Sequence, residues 1–238
     1  KGLEISTGMR MEQVTEDVLG AEIIKRYAVL SGPSHAEEVG RAIPTAVTVA
    51  SRCKETAFLA QDLFMSPSFR VYTNPDVAGV ELGGALKNII ALATGVAYGL
   101  GYGDNTMAAL MTRALTEIIR MGESLGGDPR TFIGLSGLGD LVVTCGSRHS
   151  RNRRAGELIG QGLSLDEALE QIGMVVEGAP TCRIVHKMAL QEGIEMPITR
   201  ACYQVLYENR DPREAVLYLM QRQRKNETED IGGLSTDW

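Results

Sequence analysis

The sequence predicts an α/β part that leads into an all-α part: a partial parallel sheet followed by an all-helical C-terminal domain. Residues 1–75 alternate short β-branched runs with helical patterns, which is typical of a parallel α/β sheet. After Asn74 no further β-branched, alternating run appears, and helical periodicity continues instead. We therefore expect an α/β domain over residues 1–75, a helical domain over 76–224 and a polar tail over 225–238.

The elements of the α/β part follow in order from local patterns. Residues 9–19 have a helical pattern, and residues 27–31 form a short apolar run before a Gly-Pro turn. Ser34 and Glu37 have the spacing of a capping box, which predicts that a helix begins there. The remaining elements are a β-branched strand, a helix and a second strand, expected at 44–51, 54–65 and 69–74.

The helical part is divided by turn and capping residues. Gly-Gly-Asp-Pro at 126–129 indicates a break between two helices, and Pro197 suits the first turn of another. Asp211, followed by Pro and an acidic residue, is a helix cap. The helices are expected near 78–99, 104–125, 128–134, 151–160, 164–171, 178–192, 197–207 and 211–221.

Composition excludes several classes of protein. The net charge of -6 argues against general nucleic-acid binding. The four cysteines are widely spaced and form no CxxC pair, which indicates reduced thiols in the cytoplasm and neither a metal site nor disulfides. The apolar stretch over 88–103 contains four glycines and is shorter than the about 20 residues of a membrane span. A buried helix is therefore expected there, with no membrane insertion.

A lone lysine is the first candidate for chemistry. Lys87 is the one charged residue between Glu81 and Asp104. It could extend from a buried helix to the surface, which is a purely structural role. It could also be held in a dry site, where burial disfavours the ammonium form, lowers a lysine's pKa and suits it to general acid–base catalysis.

A basic segment at 138–157 is the second candidate. It contains four arginines within seven positions as it enters a helix, whose N-terminal N–H groups favour anions: Arg148, Arg151, Arg153 and Arg154. It is either a site for a small phosphorylated ligand or a solvated basic face. Asp140 and Thr144 are one helical turn apart, and Asp140 could either pair with a lysine or cap a helix.

Two further segments could bind a ligand or simply cap helices. SGPSHAEE at 31–38 follows a strand end, where open α/β sheets bind ligands. Glu177 stands alone in VVEGAPT and could accept a hydrogen bond from a ribose hydroxyl. The three histidines, His35, His149 and His186, give no Ser-His-Asp order that predicts a nucleophile.

Seven motifs in order together resemble one enzyme family over nearly the whole chain, up to about residue 222. They are KGLE at 1–4, LSGPSHAEE at 30–38, ELGGALKNIIALATG at 81–95, GLGDLVVTC at 137–145, SRNRRAGE at 150–157, VVEG at 175–178 and EMPIT at 195–199. The family is bacterial-type NAD(P)-dependent glycerol-3-phosphate dehydrogenase. The resemblance makes the α/β part the C-terminal half of a Rossmann domain, with the active site in the cleft beside the helical domain.

The resemblance implies an oxidoreductase that interconverts sn-glycerol 3-phosphate and dihydroxyacetone phosphate with NAD(P). This reaction supplies glycerol 3-phosphate for phospholipid synthesis in the cytoplasm. The implied partners are a phosphorylated small molecule and a second copy of the chain in a homodimer. No nucleic acid, membrane insertion or metal is implied.

The same resemblance assigns site residues by position. Lys87 matches the catalytic lysine that accepts a proton in oxidation and donates it in reduction. The positions that match substrate contacts are Lys1, Gly32, Ser34, Lys87, Asp140, Ser150, Arg151 and Asn152. The positions that match cofactor contacts are Lys1, Ala36, Arg151, Val175 and Glu177.

The chain departs from the family pattern at its start, because the Gly-rich dinucleotide fingerprint of the family lies upstream of Lys1. We therefore expect this chain by itself to be inactive. Two alternatives stay open: another β-hydroxyacid-type dehydrogenase, which the arginine cluster disfavours if its substrate lacks phosphate, and a non-catalytic phosphate-binding module. An RNA-binding segment at 148–154 is a more distant reading and predicts steep salt dependence.

Overall fold

The computed structural model of the protein describes residues 2–224, Asn226 and Glu227. The roles expected of Lys1 lie outside the described residues. Nearly all of the tail expected over 225–238 lies outside them as well.

The α/β part contains a three-stranded sheet in the order β1-β2-β3. Strands β2 and β3 are parallel, as expected, but β1 pairs with β2 in the antiparallel sense, so the sheet is mixed. Parallel strands need a crossover that carries the chain back along the sheet, and the four-residue helix between β1 and β2 is too short for that. The elements are α1 (Met11–Leu19), a 3₁₀ helix (Ala21–Arg26), β1 (Val29–Ser31), α2 (Ala36–Val39), β2 (Thr45–Ala50), α3 (Lys54–Phe64) and β3 (Phe69–Asn74).

The expected capping box at Ser34 and Glu37 was wrong. Helix α2 has His35 as its N-cap residue, and the Ser34 hydroxyl donates to the Gly32 carbonyl at 3.1 Å. Ser34 lies one residue too early in the chain to cap this short helix, so its hydroxyl stabilises the turn that follows β1.

The helices expected after residue 75 are confirmed, with ends that differ by a few residues. Caps explain several boundaries: the side chains of Asp128 and Asp211 accept hydrogen bonds from backbone N–H groups of the helices they begin. The elements are α4 (Val77–Gly99), α5 (Asp104–Ser124), α6 (Pro129–Phe132), a π-helical turn (Leu135–Gly139), α7 (Asp140–Gly146), α8 (Arg151–Gly160), α9 (Leu165–Ile172), α10 (Gly178–Glu192), α11 (Pro197–Tyr207) and α12 (Pro212–Met220).

Helix α4 is the centre of the helical part. Within the described residues it is the one helix long and apolar enough to cross a membrane by length and composition. However, 89% of its most apolar window is buried inside the protein, under the surrounding helices. The apolar stretch is therefore a core helix, as expected, and its burial brings Lys87 into the interior.

Glycines allow α4 and α8 to cross in backbone contact. A Cβ built on Gly156 of α8 would overlap the carbonyl oxygen of Leu92 and lie 3.0 Å from the Cα of Gly95. One turn further along, a Cβ on Gly99 would lie 3.0 Å from the Cα of Gly160. Because no side chain separates the helices here, the first turn of α8 is fixed close to α4.

A buried charge network ties the α/β part to α4. Glu81 of α4 accepts hydrogen bonds from Arg10 Nη1 at 3.0 Å and from the Glu12 backbone N–H at 2.9 Å. The Tyr27 hydroxyl donates to the same carboxylate at 2.6 Å, and burial together with Glu81 raises the pKa of Tyr27 above its usual value. Arg52 donates two hydrogen bonds to the Glu12 carboxylate, from Nε to Oε1 at 2.7 Å and from Nη2 to Oε2 at 2.9 Å. The network therefore sets how the α/β part sits against the helix that carries Lys87.

Glu117 of α5 is a buried carboxylate that binds the start of α11. It accepts hydrogen bonds from the backbone N–H of Ile198 at 2.5 Å and from the backbone N–H and hydroxyl of Thr199, both at 3.1 Å. Desolvation by burial nevertheless raises the pKa of Glu117 from 4.5 to about 7. The carboxylate therefore accepts hydrogen bonds from the free N–H groups at the start of α11. Its burial costs free energy only when it is ionised, so the cost depends on pH.

Glu117 predicts a pH-dependent stability. A raised pKa in the folded state means that the fold binds this proton more tightly than the unfolded chain does, so its contribution is present below pH 4.5 and is lost as pH rises towards 7. The loss amounts to about 3 kcal/mol. Urea unfolding between pH 5 and 8 should show this slope in the wild type and lose it in Glu117→Gln.

The matched control is Glu123→Gln, because Glu123 is an exposed carboxylate on the same helix. This control should keep the wild-type slope. An equal slope in Glu117→Gln and the wild type would contradict the assignment.

Candidate active site

Lys87 is buried and paired, and it does not extend to the surface. Its residue is 6% exposed, and its Nζ donates to Asp140 Oδ1 at 2.5 Å and to Thr144 Oγ1 at 3.0 Å. The Thr144 hydroxyl lies 3.2 Å from the same Asp140 oxygen and donates to it. An amine, a carboxylate and a hydroxyl are thus in mutual contact in a dry part of the protein, which is an arrangement suited to proton transfer.

The π-helical turn places Asp140 beside α4. A Cβ on Gly83 of α4 would lie 2.7 Å from the Ser136 carbonyl oxygen, so the turn packs directly on the helix backbone. A Cβ on Gly137 would overlap the carbonyl oxygen of Phe132. These two glycines allow a close approach that brings the first residue of α7, Asp140, within reach of the lysine.

The first turn of α8 is joined to α4 and α10 by one amide. Asn152 Nδ2 donates to Asn88 Oδ1 at 3.1 Å, and Asn152 Oδ1 accepts from the Gly178 backbone N–H at 2.8 Å. Ser150 caps the same helix by accepting from the Arg153 backbone N–H at 3.2 Å. This clamp therefore fixes the N-terminus of α8 against the segment of α4 that carries Asn88 and Lys87.

The arginine cluster does not act as one unit, which corrects the sequence-based interpretation. Arg153 is buried, and its guanidinium lies over the Tyr98 ring at 4.5 Å, so it belongs to the packing between α4 and α8. Arg148, Arg151 and Arg154 are exposed. Helical geometry separates neighbouring residues by about 100° around the axis, so adjacent arginines in the first turn face different surroundings.

The loop after β1 lies against the turn that precedes Asp140. A Cβ on Gly139 would lie 3.6 Å from Pro33 Cδ, which places the loop in contact with the helical part. Gly32 has φ +145, and a Cβ there would lie 2.9 Å from the Val47 Cα, so this position requires glycine. The structure thus brings Gly32 and Ser34 towards Asp140, whereas Ala36 is exposed on α2.

Val175 and Glu177 lie before α10, beside the start of the described chain. A Cβ on Gly2 would lie 3.3 Å from Glu177 Oε2, so the backbone at Gly2 passes close to this carboxylate. The Val175 side chain is 63% exposed. Val175 thus presents an apolar side chain and Glu177 a carboxylate, just before the first residue of α10.

Sequence reasoning missed several contributors to the site and its frame. It attached no role to Asn88 beyond its position next to Lys87, and it did not detect the network around Glu81 or the cap made by Glu117. The histidines also gave no signal singly, yet His35 and His149 face each other with ring centroids 6.0 Å apart. Long-range contacts of this kind leave no local pattern in a single sequence.

Comparisons with known proteins agree across most of the chain. Residues 76–217 match the family model for the NAD-dependent glycerol-3-phosphate dehydrogenase C-terminus, and residues 1–57 match the corresponding N-terminus model. A glycerol-3-phosphate dehydrogenase (NAD(P)+) of Syntrophomonas wolfei is 71% identical over 238 residues, which is 100% of this chain and 69% of that protein. One from Moorella thermoacetica is 59% identical over 100% of this chain and 68% of that protein.

Solved structures share the fold. The crystal structure of glycerol-3-phosphate dehydrogenase from Coxiella burnetii has a TM-score of 0.87 and 42% identity, covering 93% of this chain and 67% of that chain. The Plasmodium falciparum structure, at 22% identity, has a TM-score of 0.85 and covers 95% of this chain and 65% of that chain, and it supports the fold alone. From the family models and the identity to curated relatives, this chain belongs to the NAD-dependent glycerol-3-phosphate dehydrogenase family.

Proposed function

We propose that this chain carries the substrate site of an NAD(P)-dependent oxidoreductase that interconverts sn-glycerol 3-phosphate and dihydroxyacetone phosphate. The observation that carries the proposal is the buried pair of Lys87 and Asp140, with Nζ 2.5 Å from Oδ1. A dry amine next to a carboxylate suits a reaction in which a hydroxyl proton must leave and return.

In this proposal Lys87 is the general base of oxidation and the general acid of reduction. As C2 of glycerol 3-phosphate loses a hydride, the neutral amine takes the C2 hydroxyl proton, and in the reverse direction the ammonium returns it. Asp140 stabilises the ammonium form of Lys87. The Thr144 hydroxyl contacts both Lys87 Nζ and Asp140 Oδ1 and so fixes their relative position. General acid–base catalysis of this kind contributes typically ~10²–10⁴-fold.

The phosphate of the substrate is proposed to bind at the first turn of α8. The backbone N–H groups of a first helical turn point outwards and favour an anion, and α8 is ten residues long. Arg151 is exposed at this turn and can form a charge-assisted contact, while Ser150 and Asn152 fix the turn's position. Gly32 and Ser34 would close the substrate site from the loop after β1.

The residues expected at the cofactor are proposed to hold a nicotinamide nucleotide. Val175 offers an exposed apolar side chain for a flat ring, and Glu177 offers a carboxylate for ribose hydroxyls next to the Gly2 backbone. Lys1, which precedes Gly2 in the sequence, is proposed to contribute as well. Ala36 on α2 and Arg151 on α8 are exposed, and both are proposed to contact the cofactor. When bound, NAD(P) accepts or supplies the hydride.

The domain division, location and assembly are proposed as well. We place the boundary at 75/76, which is supported by the end of β3 at Asn74 and the start of α4 at Val77. A cytoplasmic location is supported by four free cysteines and by the burial of α4. We also propose a homodimer and no nucleic-acid partner, the latter supported by the net charge of -6.

Substrate binding tests the proposal. Calorimetry on this chain should detect sn-glycerol 3-phosphate, and Arg151→Ala should weaken its affinity by about tenfold, as expected for one charge-assisted contact. The matched control is Arg154→Ala, which removes the same charge from another exposed position of the first turn. Glycerol, which lacks phosphate, should not bind detectably. Equal losses in both variants would show nonspecific charge attraction and contradict the site.

Rates are measured in an enzyme of the full length of a relative. This enzyme joins the chain to the part of the Syntrophomonas wolfei relative that the chain does not cover, and it is called the joined enzyme below. In the joined enzyme, Arg151→Ala should raise KM for the substrate by the same factor, with Arg154→Ala again as control.

A further inference from the structure

Two histidines meet where the α/β part contacts the helical part. His35 is the N-cap residue of α2, between the candidate site residues Ser34 and Ala36. His149 directly precedes Ser150, the cap of α8. Their ring centroids are 6.0 Å apart, with planes inclined by 55°. The two rings thus meet across the contact between the α/β part and the helical part, and each histidine neighbours, along the chain, positions assigned to the substrate site.

One ring nitrogen of the pair is buried without a partner. His35 Nε2 has no hydrogen-bond partner within the described part of the chain, and the same holds for Ser31 Oγ at the start of the same loop. Buried polar atoms in native proteins are nearly always satisfied by protein, water or a bound group, so this nitrogen keeps a hydrogen-bonding position that a bound anion can use. His149 is exposed and can approach the same group.

The charges around the pair are mixed in sign. On α2, the exposed carboxylate of Glu37 lies within electrostatic range of both imidazoles and of Arg41. On the opposite side, Arg148 and Arg151 flank His149 and Ser150 in the chain. Two imidazolium ions at this separation repel each other, and an anion beside them removes that penalty.

We propose that His35 and His149 form an additional contact for the phosphate of the substrate, so that phosphate binding is linked to proton uptake by this pair. The proposal deepens the proposed function and rests on it. Histidine is the side chain whose charge ordinarily changes between pH 5 and 8. By linkage, a ligand that favours the charged pair must bind more tightly as the pH falls through this range.

The test is the pH dependence of KM in the joined enzyme. Between pH 8 and 6, KM for sn-glycerol 3-phosphate should fall by about tenfold in the wild type, as expected for one linked proton. In His35→Phe and in His149→Gln this pH-dependent change in KM should shrink to about twofold. Competitive inhibition by inorganic phosphate should show the same pH dependence and the same loss.

Two controls separate this role from a structural one. His186→Gln removes a histidine that stacks on Tyr203 at 4.1 Å, and it should keep the wild-type pH profile. Because His149 is exposed, His149→Gln tests the proposal even if His35→Phe lowers stability. Unchanged pH profiles in both variants would overturn the inference. A fall in Tm and kcat without any change in the KM profile would overturn it equally.

The phosphate contact of the histidines and the acid–base role of Lys87 are tested by separate variants. If Lys87→Met lowers turnover but the histidine variants behave as the wild type, only the phosphate contact proposed here is wrong. If Lys87→Met leaves turnover unchanged, the acid–base role proposed for Lys87 is wrong.

Discussion

Replacing Lys87 by Met should lower kcat of the joined enzyme by about 10²–10⁴-fold, with KM for sn-glycerol 3-phosphate changed by less than about threefold. The substitution keeps the volume of the buried stem but removes the group that exchanges the C2 proton. The phosphate contacts at the first turn of α8 remain, so binding should persist. Steady-state kinetics in both directions give kcat and KM for the comparison.

The Lys87→Met substitution leaves the buried carboxylate of Asp140 without its ion-pair partner. Asp140 is 2% exposed, and removing one member of a buried ion pair typically costs about 3–5 kcal/mol of stability. The double variant Lys87→Met/Asp140→Asn removes the unpaired charge and should recover most of that stability while remaining inactive. Lys54→Met, which changes an exposed lysine on α3, should behave as the wild type. Turnover within tenfold of the wild type in a folded Lys87 variant would exclude the lysine as the acid–base group.

Replacing Gly156 by Ala should destabilise the protein by about 3 kcal/mol or more, at the upper end of what overpacking costs. The added Cβ would overlap the Leu92 carbonyl oxygen and lie 2.9 Å from the Val96 backbone nitrogen. Both are backbone atoms of α4, so relief requires that α4 and α8 move apart. Urea unfolding measures the loss of stability.

The separation of α4 and α8 in Gly156→Ala should also disturb the active site. The contact between Asn152 and Asn88 at 3.1 Å depends on the separation of the two helices, so affinity for sn-glycerol 3-phosphate should fall together with stability. Gly146→Ala is the matched control because a Cβ there meets nothing within 4 Å. It should leave stability equal or slightly higher, since Ala is favoured over Gly in helices by about 0.5–1 kcal/mol. A Gly156→Ala protein as stable as the wild type would contradict the close crossing.

Local signals predicted much of the fold. Most helices after residue 75 were predictable because their periodicity and their caps, such as Asp211, lie within a few residues of one another, whereas α7 (Asp140–Gly146) was not among the expected helices. Strands β2 and β3 were predictable from β-branched runs. Asp140 and Thr144 were expected to share a helical face, and the structure places both on Lys87. The roles assigned to these residues in catalysis stay predictions.

What the sequence could not predict depends on contacts between distant residues. The direction of β1 depends on how far the four-residue helix α2 carries the chain, which periodicity does not encode. Arg153 was grouped with its neighbours by spacing, yet packing on Tyr98 decides its environment. The network at Glu81 and the cap at Glu117 join residues 69 and 81 positions apart along the chain. No pattern within one helix or strand indicates such pairs.

The central claim is that the Lys87 amine itself transfers the C2 proton. Chemical rescue tests it most directly, because Lys87→Ala leaves a space beside Asp140 that a small primary amine can enter. In the joined enzyme we expect added ethylamine to restore part of the lost turnover of Lys87→Ala with dihydroxyacetone phosphate and NADH, with no effect on the wild type. A Lys87→Ala enzyme that binds substrate normally but turns over at the wild-type rate without amine would contradict the claim.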